Sequence, residues 1–287
     1  MTDFPALPTP ATWFVTGTSR GLALHLVGQL LERGDNVAAT TRSVARLRAA
    51  LGDTDTRRLL ALEVDVADEA EVAEAVRATT ERFGGLDVIV NSAGYGHLAA
   101  VEEITDTDAR AMFDVQVFGV LNVLRAALPV LRRQHSGHII NVSSILGLLA
   151  FPGWGLYSAG KFALEGLTAA LAAEVADHGI RVTLVEPGYM RTDFLTPNSL
   201  SLPGSTVDAY PSIREMTSAH QQMPGTQLGD PARAATAIIG VATSSAGPLH
   251  QLLGSDSLQL IAGRIDALTA DVESGRSLAV TSDIPTA

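Results

Sequence analysis

The sequence predicts an α/β fold, a doubly wound parallel β-sheet with helices on both faces. Apolar runs of strand length alternate with segments of helical period, and the runs are apolar on both faces. The 287 residues are 46% hydrophobic and 18% charged, which is enough apolar material for one sizeable core. Strands that are apolar on both sides need helices over both faces of their sheet. We therefore expect a single domain over residues 1–287.

Six apolar runs and five helical segments alternate along the first two thirds of the chain. The predicted strands are residues 12–16, 36–41, 59–64, 86–91, 138–143 and 181–186. The predicted helices are residues 22–33, 44–51, 68–83, 105–133 and 157–178. Leu164, Leu167, Leu171 and Val175 repeat at three- and four-residue steps, the spacing of a buried helix face. Regular alternation of this kind is typical of a Rossmann-type sheet.

The alternation stops after Pro187-Gly188. Residues 189–229 contain four prolines among many Ser and Thr residues, with apolar residues between them. A long insertion after the carboxyl end of a strand favours a substrate-binding lid over a pocket, with a mobile surface loop as the alternative. Asp230-Pro231 predicts a helix start. A last strand is predicted at 248–253 and a terminal helix at 257–274, so that residues 254–287 form a C-terminal helix and tail.

The composition argues against several classes of protein. The chain has 20 basic and 31 acidic residues, so broad electrostatic binding of nucleic acid or anionic lipid is not expected. It has no cysteine, which excludes disulfides and thiolate nucleophiles, and only His135 and His138 of seven histidines are close, so no metal site is expected. No apolar run approaches a membrane span and the N-terminus does not resemble a signal peptide, which predicts a cytoplasmic protein.

A glycine loop joins the first predicted strand to the first predicted helix. It reads Thr16-Gly17-Thr18-Ser19-Arg20-Gly21-Leu22-Ala23. Glycines four residues apart let backbone N–H groups and the positive end of a helix approach a pyrophosphate. The loop ends the first strand, where a doubly wound sheet binds its nucleotide. The alternative is a tight turn with no ligand. The candidate cofactor-binding residues here are Gly17, Thr18, Ser19, Arg20, Gly21 and Leu22.

The end of the second predicted strand bears on cofactor choice. NAD-selective sites place an acid there to bind the ribose 2′-hydroxyl, whereas a 2′-phosphate is held by arginine. Thr41 is neutral and Arg42 is cationic, and Arg20 can reach the same phosphate, so NADP(H) is favoured over NAD(H). The alternative is that either arginine is simply solvated. Asp65, at the end of the third strand, either accepts from the adenine amino group or caps the helix that begins near Asp68, and its neighbour Val66 is a further cofactor-binding candidate.

Tyr157 and Lys161 carry the strongest chemical signal. Four residues apart on a helix, they share one face, and Lys161 is the only lysine in the chain. A free phenol has a pKa near 10, and an adjacent cation is expected to lower it. Ser144 lies thirteen residues earlier, where its hydroxyl could bind the oxygen of a reacting carbonyl. The alternative is a surface Tyr–Lys pair on an ordinary helix.

Together these residues resemble the short-chain dehydrogenase/reductase family from Thr12 to about Leu253. The motifs that carry the resemblance are the glycine loop, Asn91-Ser92-Ala93-Gly94, Ser144, Tyr157-x-x-x-Lys161, and Pro187-Gly188 with Thr192. The resemblance implies NADP-dependent hydride transfer in which Tyr157 is the acid/base, Ser144 orients and polarises the substrate oxygen, and Lys161 binds the nicotinamide ribose and tunes Tyr157. It also implies cofactor contacts from Asn91, Ala93, Gly94, Pro187, Gly188 and Thr192, and homodimers or homotetramers formed through residues 105–133 and 157–178.

Three positions depart from the family pattern. Ala23 replaces the third glycine of the loop and Ser92 the second asparagine of its Asn-Asn-Ala-Gly motif. Gln116 stands where the family has a catalytic asparagine that passes protons to the lysine through a water. Glutamine offers the same donor and acceptor one methylene farther out, so the relay either survives with shifted geometry or is slow.

An apolar substrate pocket is expected beside these residues. Its candidate lining residues are Phe151, Trp154, Tyr189, Met190, Phe194, Leu195, Tyr210 and Met223. Residues 161–166 and 185–188 resemble the hydroxysteroid and retinol dehydrogenase-like subgroup, which acts on lipophilic alcohols. We expect an oxidoreductase that moves a hydride between NADP(H) and a hydrophobic ketone or secondary alcohol. The alternative, motivated by Gln116 and Ala23, is an NADP(H)-binding sensor with little catalysis.

Overall fold

A seven-stranded parallel sheet forms the centre of the computed structural model, which describes residues 7–284. The strands are β1 (Thr12–Thr16), β2 (Asn36–Thr41), β3 (Leu59–Glu63), β4 (Val88–Asn91), β5 (Gly96–His97), β6 (Gly137–Val142), β7 (Ile180–Pro187), β8 (Leu200–Ser201) and β9 (His250–Leu253). The main sheet has the order β3-β2-β1-β4-β6-β7-β9, and β5 pairs with β8 in a small second sheet. The strand order reverses at β1 and β4, the switch point where doubly wound sheets bind ligands. The predicted Rossmann-type fold is confirmed.

Nine α-helices connect or follow these strands in the part of the chain that the structure describes. They are α1 (Gly21–Glu32), α2 (Val44–Leu51), α3 (Glu69–Phe83), α4 (Asp106–Phe113), α5 (Gly119–Gln134), α6 (Gly155–Val175), α7 (Pro211–Gln222), α8 (Pro231–Thr243) and α9 (Ser255–Ala279). The one predicted helix at 105–133 is interrupted by a π-helical turn, Asp114–Phe118, which separates α4 from α5. Such turns are rare and are frequently found at functional sites.

Adjacent residues of each central strand face opposite layers of helices. Val15 packs with α1, α2 and α8 on one face of the sheet, whereas its neighbour Phe14 packs with α3, α5 and α6 on the other. The side chains of both residues are almost fully buried. This two-sided burial explains the continuous apolar runs, because every position of a doubly covered strand faces a core.

Two helices begin at aspartate residues that cap their first turns. The Asp68 carboxylate accepts from the backbone N–H groups of Ala70 and Glu71 at 2.9 and 3.0 Å, and so caps α3. Asp230 caps α8 in the same way, with Pro231 at the first helical position as predicted. Caps of this kind satisfy backbone donors that a helix leaves unpaired at its start.

Residues 189–229 fold over the carboxyl edge of the sheet. They contain a short 3-10 turn, Asp193–Leu195, the strand β8 and the helix α7. Glu103 joins this segment to the body of the protein: its buried carboxylate accepts from the backbone N–H groups of Ala100 and Val207 at 2.9 and 2.8 Å, and it forms an ion pair with Arg214 of α7. The segment is therefore fixed at a carboxylate that bonds both sides of the junction.

One helical stretch, Asp106–Gln134, is long and apolar enough to cross a membrane by length and composition alone. It runs through α4, the π-helical turn and α5, and its most apolar window has a mean hydropathy of 1.4. Of that window, 44% is buried inside the molecule, and α5 packs against α3. This packing is that of a core helix.

Candidate active site

A cleft of about 830 Å³ lies at the carboxyl edge of the sheet. The glycine loop lies at one part of its wall, and Ser144, Tyr157 and Trp154 lie at another. Most of the predicted cofactor-binding residues line it. Those that do are Gly17, Ser19, Arg20, Gly21, Leu22, Arg42, Asp65, Val66, Ala93, Gly94, Tyr157, Lys161, Pro187, Gly188 and Thr192. The structure therefore brings residues that are far apart in the sequence, from Gly17 to Ser199, into one cavity of the size that small-molecule sites have.

The glycine loop has a conformation that side chains disfavour. Gly17 has φ of +75° and Gly21 has φ of +60°. A Cβ atom at Gly17 would lie 2.7 Å from the Cα atom of Ala93, in the loop after β4. The Thr16 hydroxyl holds that second loop in place by accepting from the backbone N–H groups of Ser92 and Ala93 at 3.0 and 3.1 Å. The open space above the start of α1 suits a pyrophosphate.

Substitution of Gly17 by Ala is expected to damage both the fold and nucleotide binding. The added methyl meets backbone atoms and the positive φ strains the residue, so we expect a loss of about 1–3 kcal/mol in the free energy of unfolding. We also expect NADPH affinity to fall at least about tenfold, because the loop must move. Urea unfolding and NADPH fluorescence titration measure the two effects. Gly28→Ala in α1 is the control, since no atom lies within 4 Å of its added Cβ. Unfolding and NADPH binding of Gly17→Ala that equal those of wild type would contradict a role of the glycine loop in nucleotide binding.

Two predicted cofactor contacts lie behind the cleft wall instead of in it. Thr18 is fully buried, and its hydroxyl donates to the carbonyl of Thr40 at 3.0 Å. Asn91 is buried, and its side-chain amide donates to the Asn141 side chain at 2.8 Å, which in turn donates to the Thr168 hydroxyl of α6 at 2.8 Å. Neither residue lines the cleft, because its side-chain donor is directed into the protein, and direct contact with the cofactor stays a prediction for both. They support the wall that the cofactor would meet.

Three arginines meet where β2 ends. Arg20, Arg42 and Arg46 all line the cleft. The pKa of Arg20 is lowered, first by burial and then by the nearby charges of Arg42 and Arg46, while Asp193 opposes the change. No carboxylate lies within 4.0 Å of these guanidinium groups among residues 7–284. A cluster of mutually repelling cations without paired acids favours a bound dianion such as a phosphate.

Arg46 is a further cleft residue that the sequence analysis did not predict. It lies four residues after Arg42, in the first turn of the helix that follows β2, and Ser43 caps that helix.

Of the two roles predicted for Asp65, the structure decides one. Asp68 caps α3, whereas Asp65 lines the cleft and accepts from the Ala67 backbone N–H at 3.0 Å. Asp65 is therefore not the residue that caps this helix.

Tyr157, Lys161 and Ser144 meet inside the cleft. Tyr157 is 6% exposed and Lys161 is 5% exposed, and both lie on the same face of α6. The Lys161 ammonium donates to the carbonyl of Val142 at 2.9 Å and lies 5.7 Å from the centre of the Tyr157 ring. Ser144 shares a hydrogen bond with the Tyr157 hydroxyl. The Tyr–Lys pair is thus buried in the cavity and does not lie on the surface.

The acidity of Tyr157 differs from the expectation. Burial raises its pKa to about 12, although the hydrogen bond from Ser144 lowers it in part. The predicted decrease caused by Lys161 is wrong for this arrangement, because the cost of burying a phenolate exceeds the interactions that lower the pKa of Tyr157. Burial lowers the pKa of Lys161 to about 8, and the charge of Glu165 only partly opposes this. Tyr157 is therefore a phenol at neutral pH.

Gln116 lies in the π-helical turn and is 1% exposed. Its side-chain amide donates to the carbonyl of Tyr95 at 2.8 Å, and its Oε1 atom has no hydrogen-bond partner in the described part of the chain. A Cβ atom on Gly160, beside Lys161 in α6, would lie 2.8 Å from that oxygen. Gln116 is therefore next to the turn of α6 that carries Tyr157 and Lys161, and its Oε1 atom can accept from a water or another proton donor.

Aromatic side chains form the apolar part of the cleft. Phe194, from residues 189–229, stacks on Trp154 with a centroid distance of 6.5 Å and meets the edge of Tyr157 at 5.5 Å. Six of the eight predicted pocket residues line the cavity: Phe151, Trp154, Tyr189, Met190, Phe194 and Leu195. Tyr210 and Met223 do not. The Tyr210 hydroxyl instead donates to Glu102 at 2.5 Å, and Met223 packs in the adjoining cluster.

A buried acidic cluster behind Lys161 could not be seen in the sequence. Glu165, Glu186 and His250 come from α6, β7 and β9, and their ligand atoms all lie within 4.8 Å of one another. His250 Nδ1 lies 2.7 Å from Glu186 and 3.7 Å from Glu165. Burial raises the pKa of Glu186 to about 7, although the hydrogen bond with His250 opposes this, and burial also raises the pKa of Glu165. Both carboxyl groups therefore release their protons at a higher pH than exposed carboxyl groups do.

This cluster predicts a specific pH dependence of stability. A carboxyl whose pKa is raised in the folded protein stabilises the fold at low pH, and that stabilisation is lost as the pH rises through about 7. Between pH 5 and 8 we expect wild type to lose about 1–3 kcal/mol relative to Glu186→Gln, measured by urea unfolding. Glu174→Gln, on the exposed face of α6, is the control and should parallel wild type. Parallel curves for Glu186→Gln and wild type would contradict the shifted titration.

Comparison with known proteins identifies the family. Residues 11–201 match the family described as short chain dehydrogenase. The chain is 35% identical over 270 residues to oxidoreductase BOA17 of Botryotinia fuckeliana, and the alignment covers 94% of this chain and 98% of that protein. The range that matches the family includes the glycine loop, Tyr157 and Lys161.

Solved structures give the same result. A short-chain dehydrogenase from Streptomyces avermitilis superposes with a TM-score of 0.88 at 34% identity, covering 96% of this chain and 99% of that one. A short-chain dehydrogenase from Burkholderia cenocepacia, solved in complex with NADP, superposes with a TM-score of 0.70 at 28% identity, covering 92% and 96%. The fold, the cleft and these similarities together place the chain in the short-chain dehydrogenase family, as an oxidoreductase.

Proposed function

We propose that this oxidoreductase transfers a hydride between NADP(H) and a hydrophobic carbonyl or alcohol, and that Tyr157 exchanges the accompanying proton. One observation carries the proposal: Ser144, Tyr157 and Lys161 open into the same cavity as a glycine loop and three arginines. The first group suits a carbonyl oxygen, and the second suits a phosphorylated dinucleotide.

The residues present fit NADP(H) better than NAD(H). Gly17 and Gly21 adopt positive φ values that let the loop turn tightly at the start of α1, where backbone N–H groups suit the pyrophosphate. Arg20, Arg42 and Arg46 lie at the end of β2, where a ribose 2′-phosphate would add negative charge. The Burkholderia cenocepacia relative solved with NADP supports the same choice.

The catalytic residues have states that suit carbonyl reduction. Bound NADPH supplies a hydride from its nicotinamide ring, which becomes oxidised. Tyr157 is protonated at neutral pH because its pKa is about 12, so it can donate its proton to the substrate oxygen as the carbonyl carbon gains the hydride. The Ser144 hydroxyl orients the same oxygen. Lys161, anchored on the carbonyl of Val142, keeps further N–H donors for a ribose hydroxyl.

The apolar lining indicates the class of substrate. Phe151, Trp154 and Phe194 line the cavity beside Tyr157, with few charged groups on that side. Such a wall favours a hydrophobic ketone or aldehyde, or the corresponding alcohol, over a small ionic substrate. The segment 189–229 supplies Tyr189, Phe194 and Leu195 to this wall, which supports a role as a substrate-binding lid.

NADPH consumption against a panel of carbonyl compounds tests the proposal. Hydrophobic ketones and aldehydes should be reduced, with the alcohol product identified by chromatography, and 2-oxo acids of similar size should react poorly. NADPH that binds tightly yet is oxidised by no carbonyl in the panel would overturn the proposal and favour a sensor.

A further inference from the structure

The C-terminal helix α9 leaves the body of the protein with an apolar stripe uncovered. Only its first two turns pack against the rest of the chain: Ser257 is buried, and Leu260 and Ile261 join the cluster beside the cleft. From residue 265 to residue 284 every position is exposed. A helix of 25 residues is about 37 Å long, so most of α9 projects from the domain.

The stripe has the spacing of a helix-pairing seam. Its apolar positions follow one another at steps of three and four residues. They are Leu258, Ile261, Ile265, Leu268, Val272, Gly275 and Ala279. Leu258, Ile265, Leu268 and Val272 are 60%, 56%, 48% and 57% exposed. An alternating step of three and four places residues along one line of a helix, which is the pattern by which two helices interlock. Large apolar side chains exposed along a line mark an interaction surface.

We propose that α9 pairs with α9 of a second copy of this chain in an antiparallel arrangement. Side-chain size supports this orientation. In the antiparallel arrangement Ile265 packs on Leu268 of the other copy, Ile261 packs on Val272, and Leu258 packs on Gly275. Gly275 has no atom within 4 Å of the position of a Cβ, so it leaves space for the large Leu258 side chain. A parallel arrangement would place Gly275 against Gly275 and leave a gap.

Charge supports the same orientation. In this antiparallel register Arg264 flanks the seam opposite Asp271 of the other copy, and the two-fold symmetry makes the contact twice. Neither side chain forms an ion pair or hydrogen bond within residues 7–284. A parallel pair would instead face Asp271 with Arg276, which is already bonded to Glu273 of its own helix. Arg264 and Asp271 are therefore two unpaired opposite charges that the antiparallel pair brings together.

The geometry of the domains is compatible with this pairing. α9 begins at the domain, so antiparallel helices place the two domains at opposite ends of a rod about 37 Å long. This surface is separate from the exposed side chains of Phe118 and Phe162, on the side of the protein near α5 and α6. Contacts there and contacts through α9 can therefore coexist in one assembly.

Light scattering after gel filtration tests the interface. Ile265→Asp/Leu268→Asp is expected to halve the molar mass of the assembly, whatever other interface it contains. Ala267→Asp/Ala270→Asp adds the same two charges to the outer side of α9 and should keep the wild-type mass. All four positions are exposed within one copy, so each variant should remain folded and should bind NADPH as wild type does. A molar mass equal to that of wild type for the first variant overturns the proposal. A wild-type protein that is monomeric and sediments with anionic lipid vesicles also overturns it.

Two further variants fix the orientation. Arg264→Asp should weaken the assembly, and Arg264→Asp/Asp271→Arg should restore it, because the exchanged charges meet again. Since the chain has no cysteine, Ile265→Cys and Leu268→Cys introduce single thiols. A mixture of the two proteins should oxidise to a disulfide between position 265 of one copy and 268 of the other. Rapid disulfide formation by Ile265→Cys alone would show parallel helices and overturn the antiparallel arrangement.

Discussion

Replacement of Tyr157 by Phe is expected to lower kcat for carbonyl reduction by about 10²–10⁴-fold, the range that a positioned proton donor contributes. The ring remains, so its edge contacts with Trp154 and Phe194 are kept. NADPH affinity should stay within about twofold of wild type, because the glycine loop and the arginines that are predicted to bind the dinucleotide phosphates are unchanged. Stopped-flow measurement of NADPH oxidation and fluorescence titration separate the two quantities.

Tyr210→Phe is the matched control for this experiment. It removes the same hydroxyl from a tyrosine outside the cleft, where the lost partner is Glu102. Its kcat should equal that of wild type. Undiminished turnover by Tyr157→Phe would show that another group supplies the proton, and the assignment of Tyr157 would be wrong.

The second large effect concerns the cofactor. Arg42→Ala is expected to lower kcat/KM for NADPH by about 10–100-fold, because a charge-assisted bond to a phosphate contributes about 1.5–3 kcal/mol. The value for NADH should change little, since NADH has no 2′-phosphate. Arg48→Ala is the control, as Arg48 is an exposed arginine of the same helix region that does not line the cleft. Equal losses with both cofactors would contradict the role of Arg42 as a phosphate ligand.

Much of the fold could be predicted because its signals are local. The apolar runs at β1 and β2 have the predicted bounds, and so does α2. The glycine loop and the Tyr157–Lys161 pair were also readable, since each lies within one turn or one element. The sequence does not reveal the π-helical turn at Asp114–Phe118, because apolar periodicity predicts a helical segment without fixing the hydrogen-bond spacing of each turn.

The parts of the site that could not be predicted depend on contacts between distant elements. Asn91 is bonded to Asn141, fifty residues later, and so faces away from the cofactor side of the loop. Glu165, Glu186 and His250 meet only because β7 lies between β6 and β9 beside α6. No local pattern contains that information.

Electrostatics was the least predictable property of the site. Spacing alone placed a cation beside Tyr157, which led to an expected decrease in the pKa of the phenol. The depth of burial is a property of the whole fold, and it raises that pKa while lowering the pKa of Lys161. The consequence is chemical: at neutral pH the resting site holds a protonated phenol.

The transfer of deuterium tests the central claim most directly. NADPH carrying deuterium at both C4 positions of its nicotinamide is incubated with the protein and a hydrophobic ketone that it reduces, and the alcohol is examined by mass spectrometry and NMR. The account predicts one deuterium on the carbinol carbon of every product molecule, with a hydroxyl proton that comes from solvent through Tyr157. An alcohol without deuterium at that carbon would contradict direct hydride transfer across this cleft.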